Sequence, residues 1–110
     1  MAYDEDLADR IREATSAVDG LTEKRMFGGL AFLVNGNMAV AASGQGGLLL
    51  RVDPGRSEEL VDDVAVTRME MRGKEMDGWL RITDAAVEND AELRRWVDLG
   101  VGYAGSLPPK

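Results

Sequence analysis

The sequence predicts one α+β domain whose elements run helix, three strands, short helix, two strands, helix, and three observations carry that expectation. Asn35-Gly36 separates two apolar runs, Leu30 to Val34 and Asn37 to Ala42, which is the signature of a tight hairpin. Thr67 to Arg72 alternates strictly between apolar or small and charged residues, as a half-buried strand does. Near both ends, apolar residues recur at helical spacing behind acidic first turns.

In the first helix, expected from Asp4 to about Val18, Leu7, Ile11, Ala14 and Val18 share a face, and Gly20 is placed to end it. The hairpin follows. A type I′ turn needs positive φ at both central residues, which Asn and Gly supply at low cost. With a two-residue loop the pairs are Val34 with Asn37, Leu33 with Met38, Phe32 with Ala39, Ala31 with Val40 and Leu30 with Ala41. Opposed residues share a side of a sheet. One side then carries Ala31, Leu33, Met38 and Val40, and the other Leu30, Phe32, Val34, Ala39 and Ala41. Both sides are apolar, so something must cover each. A second protomer could cover one side, or two helices could divide the sides between them.

Ser43 to Gly47 reads as a loop and Leu48 to Val52 as the third strand. Asp53-Pro54-Gly55 breaks that strand, and Ser57 can cap a helix of about two turns. Thr67 to Arg72 and Trp79 to Ile82 are the fourth and fifth strands. Asn89 and Glu92 have capping-box spacing, ahead of a helix expected to bury its Trp face, on which Leu93, Trp96, Val97, Gly100 and Val101 fall at helical spacing. The core is expected over about 5–102 of a single 1–110 domain, with 103–110 as a frayed tail.

Composition narrows the function. The chain has 110 residues, 13 Lys and Arg against 20 Asp and Glu, and a formal charge of -7, which repels nucleic acid unless the basic residues cluster. It contains no cysteine and no histidine, which removes disulfides, thiolate nucleophiles, zinc-thiolate sites and the usual general base near neutral pH. No catalytic residue, cofactor or metal ligand is expected. Apolar runs are too short to span a bilayer and the N-terminus is acidic, so a cytoplasmic protein without membrane contact is expected.

Several short patterns have plain structural explanations. Gly28-Gly29 and the glycines at 44, 46 and 47 precede strands, whereas phosphate-cradling loops lead into a helix. Glu58-Glu59 and Asp62-Asp63 are neighbours on a short surface helix and do not converge on a substrate. Met69 and Met71 fit sheet core, and Met76 is the methionine most open to solvent of the three. Lys24, Arg25, Arg51, Arg68, Arg72 and Arg81 could gather into an anion or interaction patch if the strand order brought them together.

The element order, together with Lys24-Arg25-Met26-Phe27-Gly28-Gly29, the Asn35-Gly36 turn, Leu48 to Val52, and Gly78-Trp79-Leu80-Arg81-Ile82 ahead of a Trp96-containing helix, resembles the N-terminal domain of the TfoX/Sxy family. Met26, Phe27, Gly28 and Gly29 with the downstream hairpin are its most specific part. The resemblance implies an antiparallel five-stranded sheet with flanking helices, similar to type III secretion chaperones, and no catalytic activity. Family members with known roles regulate bacterial competence genes. The reading that follows is a non-catalytic regulatory domain, homodimeric and acting on a protein partner whose identity the sequence does not give; the alternative is a nucleic-acid-associated regulator, which the net charge disfavours.

Overall fold

In the computed structural model, which describes residues 3–26 and 28–110, a six-stranded antiparallel sheet carries helices on one side. The strands are β1 (Leu21–Met26), β2 (Gly29–Val34), β3 (Asn37–Ala42), β4 (Leu48–Arg51), β5 (Val66–Met71) and β6 (Lys74–Ile82). Their order across the sheet is β1-β2-β3-β4-β6-β5. The helices are α1 (Glu5–Ala14), α2 (Ser57–Leu60) and α3 (Asp90–Ser106), with single 3-10 turns at Pro54–Arg56 and Ala85–Val87.

The strand added to the five expected is β1. Its outward residues Thr22, Glu23, Lys24 and Arg25 are exposed because it forms one edge of the sheet, where charged side chains also discourage pairing with other chains. No apolar alternation betrays such a strand.

α1 begins as its acidic first turn predicts. Asp4 accepts hydrogen bonds from the backbone N–H groups of Asp6 (2.9 Å) and Leu7 (3.2 Å). It stops at Ala14, four residues before the expected end, where the Thr15 hydroxyl donates back to the Ile11 carbonyl at 2.8 Å. Val18 still packs on the core from the connection into β1. Asn89 caps α3 through the N–H groups of Ala91 and Glu92 at 2.8 and 3.2 Å. The Glu92 carboxylate, expected to reach back to the cap, instead pairs with Arg95 one turn on, at 3.4 Å.

At the other end α3 continues through Ser106, past the expected limit near residue 102, and the residues beyond it are tied to the hairpin turn. Asn37 donates its amide to the Pro108 carbonyl at 3.0 Å, and the Lys110 N–H donates to the Asn35 carbonyl at 2.9 Å. The expected frayed tail is thus a docked segment, held by the polar groups that the turn exposes.

The Asn35-Gly36 turn forms as predicted, with φ of 53° and 85°. The register beyond it does not. Val34 pairs with Asn37 and Leu33 with Met38, but Phe32 then pairs with Val40, Ala31 with Ala41 and Leu30 with Ala42. Ala39 is the extra residue of a β-bulge, so Ala39 and Val40 both face the helices and Ala41 turns to the opposite side. The expected sides of Val40 and Ala41 are therefore exchanged.

Both sides of the sheet are buried, by different means. The helix side holds the main core, in which Phe32, Val40, Leu50 and Leu80 are fully enclosed by Leu7, Ile11, Trp96 and Val97. Both long helices lie there, so they do not divide the two sides between them. The opposite side is a second, smaller cluster of Ala31, Met38, Ala41 and Leu49, roofed by half-buried Met26, Leu33, Met69 and Trp79. Among the described residues no helix is long and apolar enough to cross a membrane.

Candidate interaction surface

The side of the sheet away from the helices is the surface on which sequence and structure converge. Small residues at its centre, Ala31 and Ala41, let longer neighbours lean over them. Those neighbours are unusually rich in methionine. Met26, Met38 and Met69 belong to this cluster, Met76 stands opposite Met69 in the register, and Met71 follows Met69 by two residues on β5. The core beneath the helices contains no methionine among the described residues. An unbranched thioether side chain repacks easily, so the two sides of one sheet differ in plasticity as well as in cover.

Trp79 is placed by a kink in β6. Gly78, at φ 86°, donates its N–H to the buried Ser57 hydroxyl at 2.6 Å and lies against Val52 and Pro54. That kink also offsets the pairing: Arg68 stands opposite Leu80, yet Met69 stands opposite Met76. Beyond it, residues 69–76 form a two-stranded arm with no β4 alongside. Arg51, opposite Trp79 in the register, lies 5.2 Å from the Trp79 ring centre and 5.7 Å from that of Tyr103 on α3, so its guanidinium stacks at the end of the sheet.

The six basic residues singled out in the sequence do not gather. Lys24 stands opposite Ala31, Arg81 opposite Leu49 and Arg51 opposite Trp79, which places these three on the methionine side. Arg25 stands opposite Leu30, on the helix side of the β1 edge. Arg68 is held by Asp77 at 3.0 Å. Arg72 occupies the exposed β5–β6 turn at φ 55°. Strand order, which local sequence does not encode, separates them. Of the family motif, Gly29 pairs with Met26 and leaves no room for a Cβ beside the Ala42 carbonyl, a close approach of two backbones. Phe27 lies outside the described residues.

Charge is sorted across the sheet. Glu23 is the one acidic residue within β1 to β4, and it faces the helices, where it accepts from Arg12 of α1 at 2.8 and 2.9 Å. These hydrogen bonds hold the Glu23 carboxyl below the usual carboxylate range and the Arg12 guanidinium above its ordinary value. On the methionine side of those four strands the charged residues are therefore the cations Lys24 and Arg51, and Arg81 joins them from β6. Lys24, Arg51 and Arg81 form no ion pair among the described residues; the Arg81 guanidinium reaches the Ser43 hydroxyl at 3.3 Å.

One concavity, about 490 Å³ beside β5, reaches Met69 and combines Arg68 and Arg81 with Asp63, Glu70 and Glu75, all three carboxylates exposed. The Gly-rich loop at 44–47 turns its Gly47 N–H onto the Asp84 carboxylate at 2.9 Å, an arrangement that repels an anion. Asp62, one of the paired carboxylates in the sequence, is spent on its own backbone, accepting from the N–H groups of Val64, Ala65 and Val66. No group of three or more acidic side chains suited to a metal ion occurs among the described residues.

Sequence reasoning missed the methionine stripe as a unit. It weighed Met69, Met71 and Met76 and set Met26 and Met38 apart, although Met38 already had a predicted side in the hairpin, and it expected Met76 to be the most open of its three, whereas Met71, near the end of the arm, is exposed and Met76 is half-buried. Comparison with known proteins gives one result: the model of the TfoX N-terminal domain matches residues 13–104. No curated protein and no solved structure matches the chain.

Proposed function

We propose that this chain, which belongs to the TfoX N-terminal domain family, is a regulatory domain that acts by protein contact through the methionine side of its sheet and performs no chemistry of its own. The observation that carries this reading is the apolar, methionine-rich second side of a sheet whose two long helices both pack on the first. A side roofed, among the described residues, by half-buried Met26, Leu33, Met69 and Trp79 can be covered further by an incoming chain.

Two other occupants fit less well. A homodimer through this side sets Lys24, Arg51 and Arg81 of each copy toward an identical set, with no acidic residue of β1 to β4 on this side to answer them. Nucleic acid would meet only three separated cations, and its phosphate backbone offers nothing to the apolar floor between them. Both considerations favour a different protein as partner.

Capture from a lysate of the source cell, treated with nuclease, by wild-type protein and by Leu33→Glu tests the reading. Leu33 is half-buried on the methionine side, so the variant keeps the main core. Retention of a protein by the wild type and its loss from the variant is the expected result. Equal retention by both, or retention that disappears with nuclease, overturns it.

A further inference from the structure

We infer, building on the reading of this side as a protein-contact surface, that its occupant is an acidic amphipathic helix of the partner. Complementarity of charge and width both point to that class. Lys24 lies on edge strand β1 and Arg81 on β6, four strand steps away across β2, β3 and β4. At about 4.8 Å per step the two cations flank an apolar strip about 19 Å wide. A helix with side chains is about 10–12 Å across, so one helix fits between them with carboxylates on each flank of its apolar stripe. Lys24 would take the carboxylates of one flank and Arg81 those of the other.

The floor suits such a guest. Ala31 and Ala41 keep the centre low, and the flexible side chains of Met26, Met38 and Met69 can move to fit a helical ridge. Helix-in-groove recognition elsewhere pairs apolar anchors one turn apart with a soft apolar floor. The rest of the protein disfavours a basic guest less than this side does: the acids are concentrated on helices and loops, whereas β1 to β4 present only cations here.

The test uses the whole chain with isotope-labelled methionine methyl groups. The probe is a synthetic peptide of about 18 residues, five turns, with Leu and Phe at one-turn spacing and Glu elsewhere. Controls are the same peptide with Lys for Glu, a scrambled acidic peptide, and a single-stranded oligonucleotide. The acidic amphipathic peptide is expected to shift the Met26, Met38 and Met69 methyl signals, and to bind about tenfold more weakly at high salt. Lys24→Glu and Arg81→Glu, each checked for an unchanged circular dichroism spectrum, are expected to weaken it about tenfold.

The inference is overturned if the lysine or scrambled peptide binds as well, if only the oligonucleotide moves the methyl signals, or if light scattering shows a dimer in which these methyls are already covered. It is also overturned if no peptide moves them. In that case lysate capture that still depends on Leu33 would leave the protein-contact reading standing and remove only the acidic helix.

Discussion

Gly100 of α3 rests on the carbonyl of Ala39, so closely that a Cβ at residue 100 would lie 2.5 Å from that oxygen and 2.7 Å from a Leu50 methyl. Ala39 is the residue that the bulge leaves without a partner on β2. The longest helix is therefore seated on the irregular point of the sheet, and glycine is what permits the seat.

Gly100→Ala should lose stability even though alanine favours helix. Overpacking against backbone costs about 1–3 kcal/mol, set against a propensity gain of about 1 kcal/mol. Gly102, on the same helix with nothing within 4 Å of its would-be Cβ, is the internal control. Gly102→Ala should gain up to about 1 kcal/mol. Denaturant midpoints of the two variants moving in the same direction would contradict the seating.

Phe32 and Leu33 are neighbours that serve opposite sides of the sheet. Phe32, fully buried under the helices, should cost about 3–5 kcal/mol on truncation to alanine, enough to threaten folding of a small domain. Leu33→Ala, on the half-buried side, should cost clearly less. Thermal unfolding of the two variants checks the order.

Glu23 makes the fold sensitive to acid. Its hydrogen bonds from Arg12 lower its folded pKa beneath the ordinary 4.5. A depressed carboxyl pKa supports the folded state in full above the unfolded value, and that support is lost as pH falls through the folded value. Stability should therefore decline as pH drops below about 4.5, and Glu23→Gln should be less stable at neutral pH but show a shallower acid decline. An unchanged acid slope in the variant would count against the contribution of this pair.

Asp62 holds the entry to β5. Its carboxylate accepts from three successive N–H groups, those of Val64, Ala65 and Val66, at 2.8, 2.9 and 2.9 Å, and these bonds lower its pKa, the Val66 bond most. Asp62→Ala should speed hydrogen exchange at these amides, and Asp62→Asn, which keeps an acceptor oxygen, should speed it less. Equal exchange in both variants would mean that the carboxylate does not order the turn.

The sequence revealed what is local. Asn35-Gly36 specified its turn, Asn89 its cap, and the spacing of Leu93, Trp96 and Val97 the buried stripe of α3, because each depends on residues a few positions apart. Features set by distant pairing were hidden. β1 needs few apolar residues at an edge, so Thr22 to Arg25 gave no strand signal. The bulge at Ala39 left no trace because Met38 to Ala42 is apolar or small at every position, and any register looks acceptable there. Whether Lys24, Arg51 and Arg81 share a side depended on pairings with Ala31, Trp79 and Leu49, which only the folded sheet defines.

That bulge makes β3 a strand of two phases. Met38 points away from the helices, Ala39 and Val40 point toward them, and Ala41 points away again. Were Ala39 instead kept in regular pairing with no bulge, the two phases would merge and Val40 would change layers, carrying a branched side chain out of the helix-covered core and on to the floor now kept low by alanine. One residue of apparent slack is thus what lets the same short ribbon furnish bulk to one layer and hollow to the other.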